Sequence, residues 1–308
     1  MLLLGLVPLL VAAPARAQDL GHKLPGTLGL SAGRQAEPGL YLSDQLAFYA
    51  ADTLRDRAGG VVPVVGLRLR AWANGVGLSG AVPLGPVFLN FAGSVPLAHV
   101  RINSELPQAS IDKFGLSDAR VQPLGLGWRS PHLEVVGSYA LYIPTSRNAP
   151  GGKGGLGRGS FSHEFSVGGT VFFDAKKRWF LTALASYELN HRKMGMDITR
   201  GDTVQLQGGA GTRLGGLLDV GLAGYALWQV RDDRGSDLPA VLRGARDRVF
   251  GLGPEIAVLV PPIRTRFALR YEVDFGVRSR PEGQIVSLTG SLLLWKPAEA
   301  SSGKPAGR

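Results

Sequence analysis

Cysteine is absent from the 308 residues, which excludes a disulfide framework, a thiolate metal site and a cysteine nucleophile. Export stays open, because a cysteine-free chain simply does without staples in an oxidising compartment. Long apolar runs are also missing: nothing after residue 17 supplies the roughly twenty uninterrupted apolar residues that a membrane-crossing helix needs. The five histidines, at 22, 99, 132, 163 and 191, show no paired helical spacing, and there is no Asp-rich calcium loop. Neither a metal nor a cofactor is expected. The formal charge is +10, but Lys and Arg are scattered and no aromatic-basic module accompanies them, which argues against nucleic acid. Lipopolysaccharide phosphates or an anionic solute are better partners for such a surplus.

Glycine is plentiful, at 44 residues, with 20 prolines. That composition fits neither a helical bundle nor a doubly wound enzyme. With 44% hydrophobic residues regularly interspersed, the chain is also too apolar to be disordered. The stretch Met1 to Ala17 is apolar and ends Ala15-Arg16-Ala17, the small-x-small pattern that a signal peptidase cuts after. It is too short to span a bilayer, so export with cleavage before Gln18 is predicted.

From residue 39 the dominant signal is alternation with period two, in runs of about ten to fourteen residues, the strand length of an outer membrane. In the clearest run, Phe267, Leu269, Tyr271, Val273 and Phe275 share one face and Arg266, Arg270, Glu272 and Asp274 the other. One face suits lipid and the other water. Residues 179–190 and 203–213 repeat the pattern. Twelve strands follow, near 40–50, 64–80, 86–98, 118–129, 132–143, 161–173, 178–190, 202–213, 218–231, 247–260, 265–277 and 284–295.

Short and long connections alternate along these strands. Tight turns fall near Pro83-Leu84-Gly85, Ser130-Pro131, 174–177, Gly215-Gly216 and Pro261-Pro262; long loops fall at 51–63, 99–117, 144–160, 191–201 and 232–246, with a shorter one at 278–283. A soluble sandwich gives no reason for that order. A closed barrel puts every short turn on one rim and every long loop on the other, and closure removes the strand edges that hydrocarbon cannot solvate. The expected fold is therefore all-β: a transmembrane antiparallel barrel of about twelve strands, with short periplasmic turns and long extracellular loops, in the outer membrane. The expected domains are a signal peptide (1–17), a periplasmic or plug-like segment (18–38), the barrel (39–295) and a disordered tail (296–308). Trp128, Trp179 and Trp295 fall beside short turns and Trp228 near a long-loop end, as girdle residues do; Trp72, in mid-strand, is expected to pack ordinarily.

The Gly-rich run 151–159 lacks the Gly-Lys-Ser/Thr ending and the following helix of a phosphate loop, so it is taken as a surface loop. Hydrolysis of lipid would need a hydroxyl with a base in reach. Ser162-His163 and Asn190-His191 are the nearest candidates, but the adjacent Ser162 and His163 point to opposite faces, and His191 has no serine next to it in sequence, only Ser186 or Ser166 in the strands beside it. No catalytic group and no enzyme activity are expected. Strand parity instead lines a lumen with Arg68, Arg70, Glu164, Glu188, Arg266, Arg270, Glu272 and Asp274, and places Tyr142, Phe172 and Tyr225 where they could stack a planar solute. Two readings of so charged a lumen stand side by side: an Arg–carboxylate ladder that fills a structural or surface-interaction barrel, or a polar conduit with a binding constriction. Twelve strands are too few for a wide nonspecific pore.

Several segments together carry a family resemblance: Pro38-Gly-Leu-Tyr-Leu42, Gln122-Pro-Leu-Gly-Leu-Gly-Trp128, Tyr142-Ile-Pro-Thr145, Ser162-His-Glu-Phe-Ser166, Ser186-Tyr-Glu-Leu-Asn190, Gly221 to Val230 with Asp232-Asp233, Gly253-Pro-Glu255 and Arg280-Pro-Glu-Gly283. In that order and spacing, over residues 24 to 295, the chain resembles the outer-membrane family labelled as involved in the meta-pathway of phenol degradation, which includes the SphA-like proteins. The resemblance implies a channel or transporter that helps small aromatic or other hydrophobic compounds enter the cell, in contact with outer-membrane lipid and lipopolysaccharide. It implies no phenol-degrading activity.

Overall fold

The computed structural model describes residue 22 and residues 24–105, 110–145 and 156–297. The expected leader, residues 151–155 of the glycine-rich run and residues 298–308 of the tail lie outside the described residues. The strands are β1 (Gly39–Arg55), β2 (Val61–Val62), β3 (Arg68–Leu84), β4 (Val87–Asn103), β5 (Ile111–Leu116), β6 (Ala119–Arg129) and β7 (Leu133–Ile143), followed by β8 (Ser162–Phe172), β9 (Trp179–Asn190), β10 (Thr203–Leu214), β11 (Leu218–Gln229), β12 (Arg248–Val260), β13 (Thr265–Arg278) and β14 (Pro281–Trp295).

Leaving out the short β2 and β5, twelve strands follow one another around the sheet, each antiparallel to the next, and β14 returns to pair with β1. The seam runs from Leu40 opposite Trp295 to Leu54 opposite Pro281, so the barrel is closed along the full length of β1. Every wall strand then has both edges hydrogen-bonded over most of its length, the condition for crossing a bilayer.

Period-two alternation sorts the two faces as hydrocarbon requires. Phe48, Leu78, Phe165, Val167, Leu222 and Leu269 point outward and are each about half exposed on the bare chain. The inward positions of the same strands carry Tyr49, Glu164, Thr170, Ala223, Arg270 and Glu272, all buried. The protein's core is therefore its lumen. Short turns close one rim: Gly85 at φ +60, Gly215 at +57 and Gly216 at +73 take left-handed conformations that cost a glycine nothing. At that rim Trp128, Trp179 and Trp295 stay exposed.

One expectation needs correction. The loops 51–63 and 99–117 are largely strand. β1 runs on to Arg55 and turns back as β2, because the Asp56 carboxylate accepts the N–H groups of Ala58 and Gly60 and holds a tight hairpin. β5 continues β6 after an interruption at Ser117-Asp118: β4 pairs with β6 up to Ser94 and with β5 from Leu97 to Ile102. Since β7 ends at Ile143, opposite Ala119, β5 has one strand neighbour among the described residues. Trp72 packs on the outer wall against His99 and Phe114, at centroid distances of 6.2 and 5.9 Å.

Candidate functional site

The lumen is where charged and aromatic side chains converge, and His22 and the residues from Leu24 to Gln35 lie within it. Pro25-Gly26 opens a turn and Gly29–Ser31 forms one 3-10 turn, whose Leu30 is wholly buried against Phe172, Phe180 and Ala223. Nearer the long-loop rim, Leu24 packs on a second apolar cluster that includes Tyr49, Leu69, Tyr225, Val249 and Val277. Each cluster removes about 1.5–3 kcal/mol of apolar side chain from water per large residue, so the segment is seated by burial as well as by charge.

A single-stranded segment inside a barrel has no ladder to satisfy its backbone, and the wall side chains take that role. Leu28 donates its N–H to Gln207 (3.1 Å), Leu30 to Glu255 (3.0 Å), Gly33 to Thr182 (2.8 Å) and Gln35 to Glu134 (3.1 Å). The approach is close. A Cβ on Gly33 would stand 2.2 Å from the carbonyl oxygen of Gly169, and Gly29 has φ +48 with a Cβ position 1.8 Å from Glu255. Both positions require glycine.

Around this segment the charges pair in groups. Asp219 receives Arg34 (3.0 Å), Arg213 (2.8 Å) and Arg266 (3.2 Å), and Arg266 also donates to Ser31 Oγ (3.0 Å). Arg34 lies 4.0 Å over the Phe180 ring. Arg270 bridges Glu255 (3.1 Å) and Glu272 (2.9 Å). Asp274 accepts the hydroxyls of Tyr49 (3.1 Å) and Tyr225. Glu164 holds Arg120 (2.9 Å) and the Tyr142 hydroxyl (3.2 Å), and Glu188 holds Arg158. Low dielectric makes each such pair costly to break from one side.

Of the lumen candidates named from sequence, Tyr142, Glu164, Phe172, Glu188, Tyr225, Arg266, Arg270, Glu272 and Asp274 point inward. Arg68 and Arg70 do not, which is a correction. Leu69, opposite Ala51, takes the inward place on β3, so its neighbours face outward, and Arg70 pairs there with the exposed Asp52 at 2.8 Å. The strand could be read in either parity from sequence, since small residues occupy its inward face. The three inward aromatics are already engaged: Tyr142 by the ring of His22 (4.4 Å), Phe172 by Lys177 (4.4 Å), and Tyr225 by Asp274.

Sequence reasoning missed His22, Asp118 and Arg34, because nothing in the strand pattern reports on a segment threaded through the lumen. A signal was present: Leu28-Gly-Leu30 and Leu24-Pro-Gly26 put apolar residues next to glycines, which marks a chain packed closely against something.

The two His-bearing pairs weighed for hydrolysis separate as their parity demands. His163 faces outward, to the Tyr139 hydroxyl at 2.7 Å, and stacks edge-on to His191 at 4.9 Å. Ser162 faces inward and meets a different base: His22 Nε2 at 2.8 Å, with His22 Nδ1 2.9 Å from Asp118. The polarity is wrong for a nucleophile. Ser162 Oγ is 2.7 Å from Asn190 Oδ1, an oxygen that also accepts from Arg158, while Asn190 Nδ2 donates to Gly201 O. Only the serine has a proton for that O···O contact, so Ser162 donates to Asn190 and accepts from His22. No group of three or more potential metal ligands occurs among the described residues.

A family model described as "Putative MetA-pathway of phenol degradation" matches residues 51–289. Among solved structures, the chain is similar to the COG4313 outer membrane channel from Pseudomonas putida F1, with a TM-score of 0.74 and 10% identity over 84% of this chain and 97% of that one. It is also similar to the transport unit of the autotransporter AIDA-I from Escherichia coli, with a TM-score of 0.51 and 11% identity over 88% and 95%. At these identities the likeness is one of fold. No curated protein sequence matches.

Proposed function

The chain belongs to the phenol-degradation MetA-pathway family and folds as an outer-membrane barrel, and from that premise we propose that it conducts small hydrophobic or aromatic compounds across the outer membrane. One observation carries the reading: inside an otherwise polar lumen the wall forms two apolar clusters, and the N-terminal segment packs Leu24 against one and buries Leu30 in the other. Displacing the segment uncovers apolar and aromatic wall, including Phe172 and Tyr225, along which a planar solute can move. The label on the family concerns a degradation pathway; transport, not degradation, is what a lumen of paired side chains can perform.

Export depends on the leader cut after Ala17, and the outward Arg68 and Arg70 on the long-loop half of β3 meet lipopolysaccharide phosphates at the outer leaflet. A second reading, a plugged structural or surface-interaction barrel, draws on the same pairs that hold the segment, such as Arg34–Asp219 and Arg129–Glu37.

Liposome flux of phenol, benzoate and a hydrophilic sugar through the refolded mature chain separates the two. Flux of the aromatic compounds above that of the sugar supports the conduit. Equal, background flux of all three, with heat-modifiable gel mobility proving a folded barrel, overturns it in favour of the plugged reading.

A further inference from the structure

The side chain of His22 is fully buried at the long-loop end of the lumen, and among the described residues its ring and hydrogen-bond partners belong to the wall. Tyr142 on β7 stacks on the imidazole, with centroids 4.4 Å apart and planes 8° from parallel. Asp118, at the interruption between β5 and β6, accepts from Nδ1 at 2.9 Å and also takes the backbone N–H of Arg158. Ser162, the first residue of β8, lies 2.8 Å from Nε2.

Both ring nitrogens face acceptors here. Nδ1 faces a carboxylate, and Nε2 faces a hydroxyl whose single proton is committed to Asn190. The surroundings thus ask for three things at once: a flat ring, two N–H donors on different edges, and a positive charge next to Asp118. Phenol, with one donor, meets the first and part of the second. An imidazolium-type ring meets all three.

The occupant and the walls come from different parts of the chain. Asp118, Tyr142, Ser162 and Asn190 sit at the ends of barrel strands on the long-loop rim, where a solute arriving from outside enters the lumen. His22 belongs to the threaded segment, which can withdraw without opening a single strand pairing.

We propose that Asp118, Tyr142 and Ser162 form a binding seat for a planar aromatic cation bearing two N–H donors, such as a protonated imidazole or benzimidazole, and that His22 is the chain's own occupant of it. As a selectivity site this rests on the conduit reading above; as a binding site it stands apart from it. A solute of this class competes with His22, so that binding and release of the threaded segment are one exchange.

Calorimetry on the refolded full chain tests it with 4-methylimidazole as the probe, below the pH at which that ring loses its charge. His22→Ala is expected to bind the probe at least tenfold more tightly than the chain with His22, and phenol no more tightly. Asp118→Asn or Ser162→Ala in that background is expected to abolish the gain. Gly29→Ala, which keeps His22 but dislodges the segment, gives an independent measure if His22→Ala folds poorly, and is expected to show a smaller gain. Equal affinity of the variants and the full chain, or phenol binding as tightly as the probe, overturns the seat. Binding without liposome flux of any aromatic compound would leave the seat standing and remove the conduit.

Discussion

Leu30 donates its backbone N–H to the Glu255 oxygen that also accepts Arg270, at 3.0 and 3.1 Å. One carboxylate thus ties the threaded segment to the charge network of β12 and β13. Removing one side of a buried, hydrogen-bonded pair costs about 3–5 kcal/mol. In Glu255→Ala, Glu272 still holds Arg270 Nε at 2.9 Å and recovers part of that loss. Each 1.4 kcal/mol of net loss raises the population of undocked segment about tenfold. Single-channel recordings of Glu255→Ala should show larger and more frequent openings than the unaltered chain; identical traces would mean that the segment is held elsewhere.

Gly29 makes a sharper case, because the barrel wall does not depend on it. With φ +48 and a Cβ position 1.8 Å from a Glu255 oxygen, alanine there meets both backbone strain and a clash. Gly29→Ala should keep the heat-modifiable mobility of a folded barrel, yet expose residues 24–38 to protease added from the short-turn side. Continued protection would show that the 3-10 turn can shift to accept the methyl group.

Much of the wall was legible from residues alone, since most wall strands alternate over about ten residues or more, and in β13 a one-residue slip would turn Phe267 and Leu269 into the lumen and Arg266 and Arg270 into lipid. β3 escaped that logic: Ala71, Ala73, Gly75 and Gly77 face inward, and small residues are acceptable on either face. The strand extensions 51–55 and 111–116 escaped it too, because beyond the bilayer neither face must be apolar. The threaded segment was the hardest part. Many of its contacts join residues far apart in sequence, such as His22 with Asp118, 96 positions away, and Leu30 with Glu255, 225 away, and no local period encodes them.

The corrected parity of β3 can be checked by ion selectivity. Arg266 donates into the lumen, to Ser31 and Asp219, whereas Arg70 pairs with Asp52 on the outer wall. Loss of a lumen cation should move the reversal potential toward cation preference, so Arg266→Ala should shift it and Arg70→Ala should leave it unchanged. Stability should hardly respond to Arg70→Ala, since an exposed pair is worth about 0–1 kcal/mol. A shift in Arg70→Ala equal to that in Arg266→Ala would restore the inward reading.

On the long-loop rim, Asp197 accepts the backbone N–H and the hydroxyl of Ser236 (2.8 and 2.9 Å), while Asp237 accepts the N–H of Asp197 (2.7 Å), so the loops 191–201 and 232–246 are stapled together. The Ser236 backbone N–H, more than any other group, holds the Asp197 carboxyl below the usual carboxylate range, with the Ser236 hydroxyl next. A folded-state pKa lower than the unfolded one contributes order that is complete above the ordinary carboxylate pKa, about 4, and is lost as pH falls through the lower, folded value. Amide hydrogen exchange at residues 234–237 should therefore be flat from pH 7 to 5 after correction for intrinsic rates, and should accelerate only at more acid pH. Asp197→Asn should show the accelerated exchange already at pH 7. If the variant exchanges at the unaltered rate, the two loops are held by the bridge between Thr199 and Arg234 and by the Arg200–Asp233 pair instead, and the Asp197 contacts add no order to the rim.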